Sequence, residues 1–360
     1  MNHIDRLSAP LFVSWQLTRD CDLACMHCCA DSSPGHALPD EMNTDEAMAF
    51  AADIVRADVP YVMLCGGEPL VVRHFMAVVE FLGHAGVMLK IETNGQVFNA
   101  AVAERLARLP IRSIQISLDG DTQEVYGRQR PGASLEKTHA ACRAVRKAGL
   151  PLEVTFAPTQ INIHEIVAVI ERARCLGAFR LNTGKLMHIG RAARLWRKIA
   201  PSPQAYAGFR DVLARESQRI HHPMQICYEP FSVEAGLQKS FDTPPATLLV
   251  LPNGLVKIVG AVPYVCGNVR HNTVAEVWEK YRAAWRNEAV VAAIRRGIAD
   301  EQSHADANAW KSIPNGVVEK CSTLTRCRKP KRRTMPSSAR ARRTKLRCGK
   351  RRSSKTCPSR

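Results

Sequence analysis

From residue 12 to about 185, short β-type runs alternate with helical stretches, and that alternation narrows the folds open to this chain. The runs at 12–18, 60–65, 88–93, 113–118, 152–157 and 179–185 read as strands, and those at 44–56, 72–85, 99–108, 135–148 and 164–176 as helices. Several of the helices follow a capping residue, such as Asn43 or Asn162, and end near Gly86, Gly149 or Gly177. Repeated strand–helix units demand right-handed crossovers and therefore a parallel sheet. Six such units suit an incomplete βα barrel or a doubly wound sheet, and in both the chemistry collects at the carboxyl ends of the strands. The expected class is α/β: an incomplete (β/α)6 TIM-type barrel with a small α+β carboxyl-terminal extension. Residues 200–245 read as mostly helical, and 247–251 and 255–259 as a hairpin turning at Pro252-Asn253-Gly254. Residues 274–296 read as one helix stopped by Gly297. These signals divide the chain into a core at 1–215, a small extension at 216–325 and a basic tail at 326–360.

The net charge of +18 suggests a nucleic-acid binder until its distribution is examined. Residues 326–360 hold 16 Lys or Arg and no Asp or Glu, so the rest of the chain is nearly neutral. With almost no apolar residues, the tail cannot offset its ordering entropy by burial and is expected to be disordered. A nucleic-acid partner acting through it is the unfavoured alternative. No run approaches the roughly 18 apolar residues that a membrane span needs. The first 15 residues lack a basic stretch followed by an apolar one, so a cytoplasmic location is expected. In that reducing setting, 13 irregularly spaced cysteines point to metal or redox chemistry rather than to a disulfide framework.

The sharpest motif is Cys21, Cys25 and Cys28, just past the first strand. Three soft thiolates in a single loop can wrap an iron–sulfur cube, leaving one iron free of protein ligands. The rival is a structural zinc, which wants a fourth ligand such as His27 or Cys29. Cys65-Gly66-Gly67-Glu68-Pro69 ends the second strand, Glu92-Thr93-Asn94-Gly95 the third and Ser117-Leu118-Asp119-Gly120 the fourth. Each alone is an ordinary strand-to-helix turn. Their order, with each at a strand's carboxyl end, gives them weight.

Taken together, these motifs resemble the radical S-adenosylmethionine (SAM) superfamily over about residues 12–195. The resemblance implies one 4Fe–4S cluster on Cys21, Cys25 and Cys28, and SAM as second cofactor. Gly66, Gly67 and Glu68 match the family's Gly-Gly-Glu segment, which receives the methionine amino group of SAM. Thr93 and Asn94 match a common Thr-Asn-Gly, while Ser117 and Asp119 stand where polar groups approach the ribose and carboxylate. Arg130 resembles an arginine that follows in many members. His27 falls where the family carries a flat side chain near the adenine; a solvent-facing histidine is the other reading. Cys29, Cys65, Cys142 and Cys175 are taken as small, buried or half-buried residues without a metal role.

Trp15-Gln16-Leu17-Thr18, Gly190-Arg191-Ala192 and Gly267-Asn268-Val269 resemble the mycofactocin and pyrroloquinoline-quinone maturases and enzymes that modify haem side chains. Those groups carry a carboxyl-terminal SPASM or twitch extension with auxiliary clusters. Here its Pro-x-Gly turn is present at Pro252–Gly254, but the flanking cysteines are missing, and Val259 stands where the second would fall. A degenerate extension without auxiliary clusters is expected. The implied activity is reductive cleavage of SAM to a 5′-deoxyadenosyl radical, which abstracts hydrogen from a peptide or peptide-derived cofactor precursor. A tetrapyrrole side chain is the alternative substrate. The implied partners are a reductant such as flavodoxin or ferredoxin and, with about 11 residues before the first strand, a separate carrier protein for the peptide.

Overall fold

A computed structural model describes residues 3–219 and 224–314. The basic tail at 326–360, and with it Cys327, Cys348 and Cys357, lies outside the described residues, as does Cys321. The strands are β1 (Phe12–Gln16), β2 (Tyr61–Cys65), β3 (Met88–Thr93), β4 (Ile111–Ser117), β5 (Leu152–Phe156), β6 (Arg180–Thr183), β7 (Gln225–Cys227), β8 (Thr247–Val250), β9 (Leu255–Lys257), β10 (Tyr264–Asn268) and β11 (Lys311–Ser312). They form one sheet in the order β11-β10-β9-β8-β1-β2-β3-β4-β5-β6-β7. From β8 through β1 to β7 every neighbouring pair is parallel, while β9 runs antiparallel to both β8 and β10. This is the incomplete α/β barrel, open between its two edges.

The helices are α1 (Thr44–Arg56), α2 (Phe75–His84), α3 (Ala100–Leu106), α4 (Gln123–Gln129), α5 (Leu135–Lys147), α6 (Ile166–Cys175), α7 (Arg191–Ile199), α8 (Pro203–Ser217), α9 (Val233–Asp242), α10 (Val274–Ala284) and α11 (Glu288–Ala299). Asn43 caps α1 through a reciprocal box with Glu46, leaving the apolar stripe of Ala47, Phe50, Ala51 and Ile54 to pack on the sheet. Trp15 of β1, fully buried, meets Phe50 edge-on. Asn162 departs from its expected capping role. Its side chain instead accepts from Thr159 N and donates to the carbonyl of Asp119, tying the loop after β5 to the loop after β4.

The sheet runs without a break across the boundary expected at 215/216. β7 joins β6, and β8 lies directly beside β1, with Phe12 opposite Thr247 and Trp15 opposite Val250. All described residues fall within one compact unit. The hairpin forms as its Asn-Gly turn demands, with Gly254 at φ 82°. The single helix expected at 274–296 is two, because Asn287 caps a fresh start at Ala289 and Val290. Gly297 does not stop the second; it lies inside α11, against Leu237 and His304. Strand registers place Gln16 opposite Cys65 and Ser117 opposite Thr155, so the loops that carry the motifs emerge on one edge.

Candidate active site

The cysteine loop leaves β1 and is closed by hydrogen bonds from within and from afar. Asp20 accepts from Cys21 N at 3.0 Å and from Gly35 N at 2.8 Å, drawing the two ends of the loop together. Arg191, at the start of α7, donates to the carbonyls of Cys25 and Ser32, both at 2.8 Å, and its backbone N–H donates to the carbonyl of Cys28. Gly190 makes this approach possible: it has φ 62°, and a Cβ there would lie 2.8 Å from the Cys28 carbonyl oxygen. Arg191 had only a resemblance to point to it, because nothing local says that a side chain some 160 residues away braces this loop.

Each motif sulfur faces protein N–H donors. Cys21 Sγ lies 3.7 Å from Asn94 Nδ2 and 3.5 Å from Leu23 N. Cys25 Sγ is 3.4 Å from an Arg130 nitrogen, and Cys28 Sγ is 3.2 Å from Ser32 N. Burial pushes the Cys21 thiol up to about 12, and it raises Cys25 as well, against the pull of Arg130. Bare thiolates are therefore disfavoured at Cys21 and Cys25, and the donors suit sulfurs whose charge is balanced by a metal centre. Among the described residues no group of three or more His, Cys, Asp or Glu side chains converges tightly enough to hold one metal ion. A structural zinc wants four ligands, and both ring nitrogens of His27 are engaged by Gln129 and Asp119, whereas a cube takes three thiolates and leaves one iron free. The donor set fits the cube.

The sulfurs border a cavity of about 570 Å³ at the carboxyl ends of the strands. His27, Gly66, Gly67, Thr93, Asn94, Ser117 and Arg130 border it too, so ten of the twelve expected residues converge. Glu68 and Asp119 do not reach it; both are fully buried behind the wall. Glu68 accepts from Thr93 Oγ1 and Asn94 N, each at 2.8 Å, and from Leu70 N at 3.2 Å. It braces the ends of β2 and β3. Burial lifts its carboxyl to about 7 despite those donors. Asp119 accepts from Arg130 Nε at 2.6 Å and from Ala157 N at 2.7 Å, fixing the guanidinium beside Cys25.

The two glycines serve the loop as much as any ligand. A Cβ on Gly66, at φ 131°, would lie 2.6 Å from the Thr18 carbonyl oxygen, and one on Gly67 would overlap the Asp20 carbonyl. Their small size lets Gly67 N reach Thr18 O and Glu68 N reach Asp20 O, pinning the second motif to the first. His27 is not solvent-facing. Gln129, whose own oxygen accepts from Thr159, donates to His27 Nδ1 at 2.8 Å, and His27 Nε2 lies 3.2 Å from Asp119. Arg130 Nη2 lies 3.4 Å from the same Nε2, and burial pushes the ring's pKa down to about 4, so it is neutral. Of the other cysteines, Cys29 and Cys65 border the cavity, Cys142 is core, and Cys175 is exposed rather than buried.

Residues 15–173 match the model of the Radical SAM superfamily. That stretch is a radical SAM domain. It is 26% identical over 298 residues to the AdoMet-dependent haem synthase of Methanosarcina barkeri, covering 76% of this chain and 83% of that one. It is 32% identical over 215 residues to the mycofactocin maturase of Mycobacterium ulcerans, covering 59% of this chain and 58% of the maturase. The fold of this radical SAM enzyme is shared with Streptococcus suis SuiB bound to S-adenosylmethionine, with a TM-score of 0.64 at 12% identity, over 83% of this chain and 76% of SuiB. Among the described residues no helix is long and apolar enough to cross a membrane.

Proposed function

We propose that this radical SAM enzyme cleaves SAM reductively at one 4Fe–4S cluster held by Cys21, Cys25 and Cys28, and that it acts on a peptide or a peptide-derived cofactor precursor. The observation that carries the reading is the meeting of three cysteine sulfurs, each faced by N–H donors, at the rim of a cavity that the strand-end motifs also line. Cys21, Cys25 and Cys28 would hold the cluster, which would supply one-electron reduction of SAM with the electron drawn from an external reductant.

The chain's own residues orient and shield. Arg130, locked by Asp119, offers a fixed positive charge beside Cys25 and the cavity. Asn94 donates to Asp22 at 2.6 Å, so its amide faces Cys21 in one orientation. Leu23, Phe156, Leu186 and Phe231 contribute an apolar part of the cavity wall against which a hydrophobic substrate would pack. The peptide reading draws on the maturase's name, and with it go an external reductant of the flavodoxin or ferredoxin type and a peptide-carrier protein. A tetrapyrrole side chain is the second reading, favoured by the alignment covering 83% of the haem synthase.

Anaerobically reconstituted protein is expected to be brown and to release 5′-deoxyadenosine when dithionite is supplied. Changing Cys21, Cys25 and Cys28 together to Ala should abolish both the visible absorbance and the cleavage. Retention of both by the triple variant would sink the assignment.

A further inference from the structure

A second cavity, of about 400 Å³, adjoins the first on the β8–β9 side, and Cys29 and Met187 border both. Its wall is largely apolar, with Leu237, Leu249, Leu251 and Val259 among its residues. Into this wall the end of β9 sets Lys257, only 2% exposed. Its Nζ donates to the carbonyls of Gly260 and Ala307, each at 2.8 Å. An ammonium has three donors. The third has no partner among the described residues, and no carboxylate there pairs with the charge. Burial pushes the ammonium down to about 8. A cation taken out of water and met only by carbonyls is a standing cost that an entering anion relieves.

We propose that this cavity is a substrate-anchoring subsite, in which Lys257 binds the carboxylate of an apolar group whose far end extends past Met187 into the larger cavity. The purpose of the subsite rests on the radical SAM reading, since anchoring there directs the substrate toward the cysteine loop. The chemistry required is a single carboxylate on a hydrophobic body. A peptide's carboxyl terminus and a carboxyalkyl side chain of a tetrapyrrole both supply it.

Equilibrium dialysis of the reconstituted full chain against phenylbutyrate and its uncharged amide reads the charge directly. The wild type should bind the acid roughly tenfold tighter or more, and Lys257→Met should erase that preference. Two further pairs separate the sources: a short apolar peptide with a free or an amidated carboxyl terminus, and a porphyrin with free or esterified side chains. A Lys257-dependent preference within one pair names the source. Equal binding of acid and amide by the wild type, binding of neither, or a preference that survives Lys257→Met overturns the proposal and leaves Lys257 as a strut between β9 and Ala307. Where Lys257→Met fails to fold, Lys257→Gln, which keeps an N–H donor toward the Gly260 and Ala307 carbonyls without the charge, makes the same comparison, and a preference that survives it overturns the proposal. SAM cleavage by the wild type is measured alongside. Absence of 5′-deoxyadenosine breaks the radical SAM reading, whereas the acid–amide comparison judges the subsite alone.

Discussion

On the β2–β4 side of the cysteine loop, buried charge finds its partners within the protein. Glu68 accepts three hydrogen bonds, and Asp119 is closed by Arg130 and the Ala157 N–H. On the β8–β9 side, Lys257 is just as deeply buried and meets two carbonyls and no carboxylate among the described residues. The first flank is complete before any ligand arrives, which suits holding motif loops in fixed geometry. The second carries a charge left for something else to complete. In a single sheet, one edge of the site is built for rigidity and the other for recognition.

The sharpest way to break this contrast is to remove a partner on the complete side. Arg130→Met leaves Asp119 fully buried without its countercharge, and removing one member of a buried pair costs about 3–5 kcal/mol. Chemical denaturation of the anaerobic apoprotein should register that loss. A loss below about 1 kcal/mol, the range of exposed pairs, would mean that water reaches Asp119 and the flank is not closed.

Glu68 gives a smaller effect with a defined pH window. Its folded carboxyl is raised from the ordinary 4.5 to about 7, chiefly by burial, so the folded chain keeps this proton to higher pH than the unfolded chain. Between those values the native state binds more protons, and the contribution of Glu68 to stability falls as pH rises. Glu68→Gln removes that titration. The difference in melting temperature between wild type and variant should therefore move against the wild type from about pH 4.5 to about pH 7 and then level off. A difference that stays flat across the window would show that Glu68 ionises normally behind its three donors.

The smallest effect is expected at Cys266, buried in β10 with its thiol donating to the Val256 carbonyl. If the β8–β10 flank recognises substrate rather than holding an auxiliary cluster, Cys266→Ala leaves iron at about four per chain. Iron analysis that falls in this variant would put a second cluster on that side.

The degree to which each flank could be read from sequence follows the same division. The elements β1 to β6 all lie within a residue or two of their expected bounds, and α1 matches at both ends. Elements without a strong local pattern went unread: β7 is three residues long, α4 is seven, and β11 is two. Ten of the twelve expected site residues line the large cavity. The other two, Glu68 and Asp119, hold the wall from behind. A motif names the residues that matter but not the direction in which each carboxylate turns.

The sequence alone determined the cysteine loop, the order of the strand-end motifs and the parallel sheet, because each rests on spacing within one loop or one strand–helix unit. Tertiary structure alone decided the rest. The hairpin could equally have belonged to a separate extension, and only pairing of β8 with β1, more than 230 residues earlier in the chain, makes it part of the same sheet. That pairing brings Lys257 beside Cys29, just as the turn at Gly190 brings Arg191 under the cysteine loop. Such contacts are set by which buried surfaces fit against one another, and no local pattern in the chain records which distant segment will supply the missing partner.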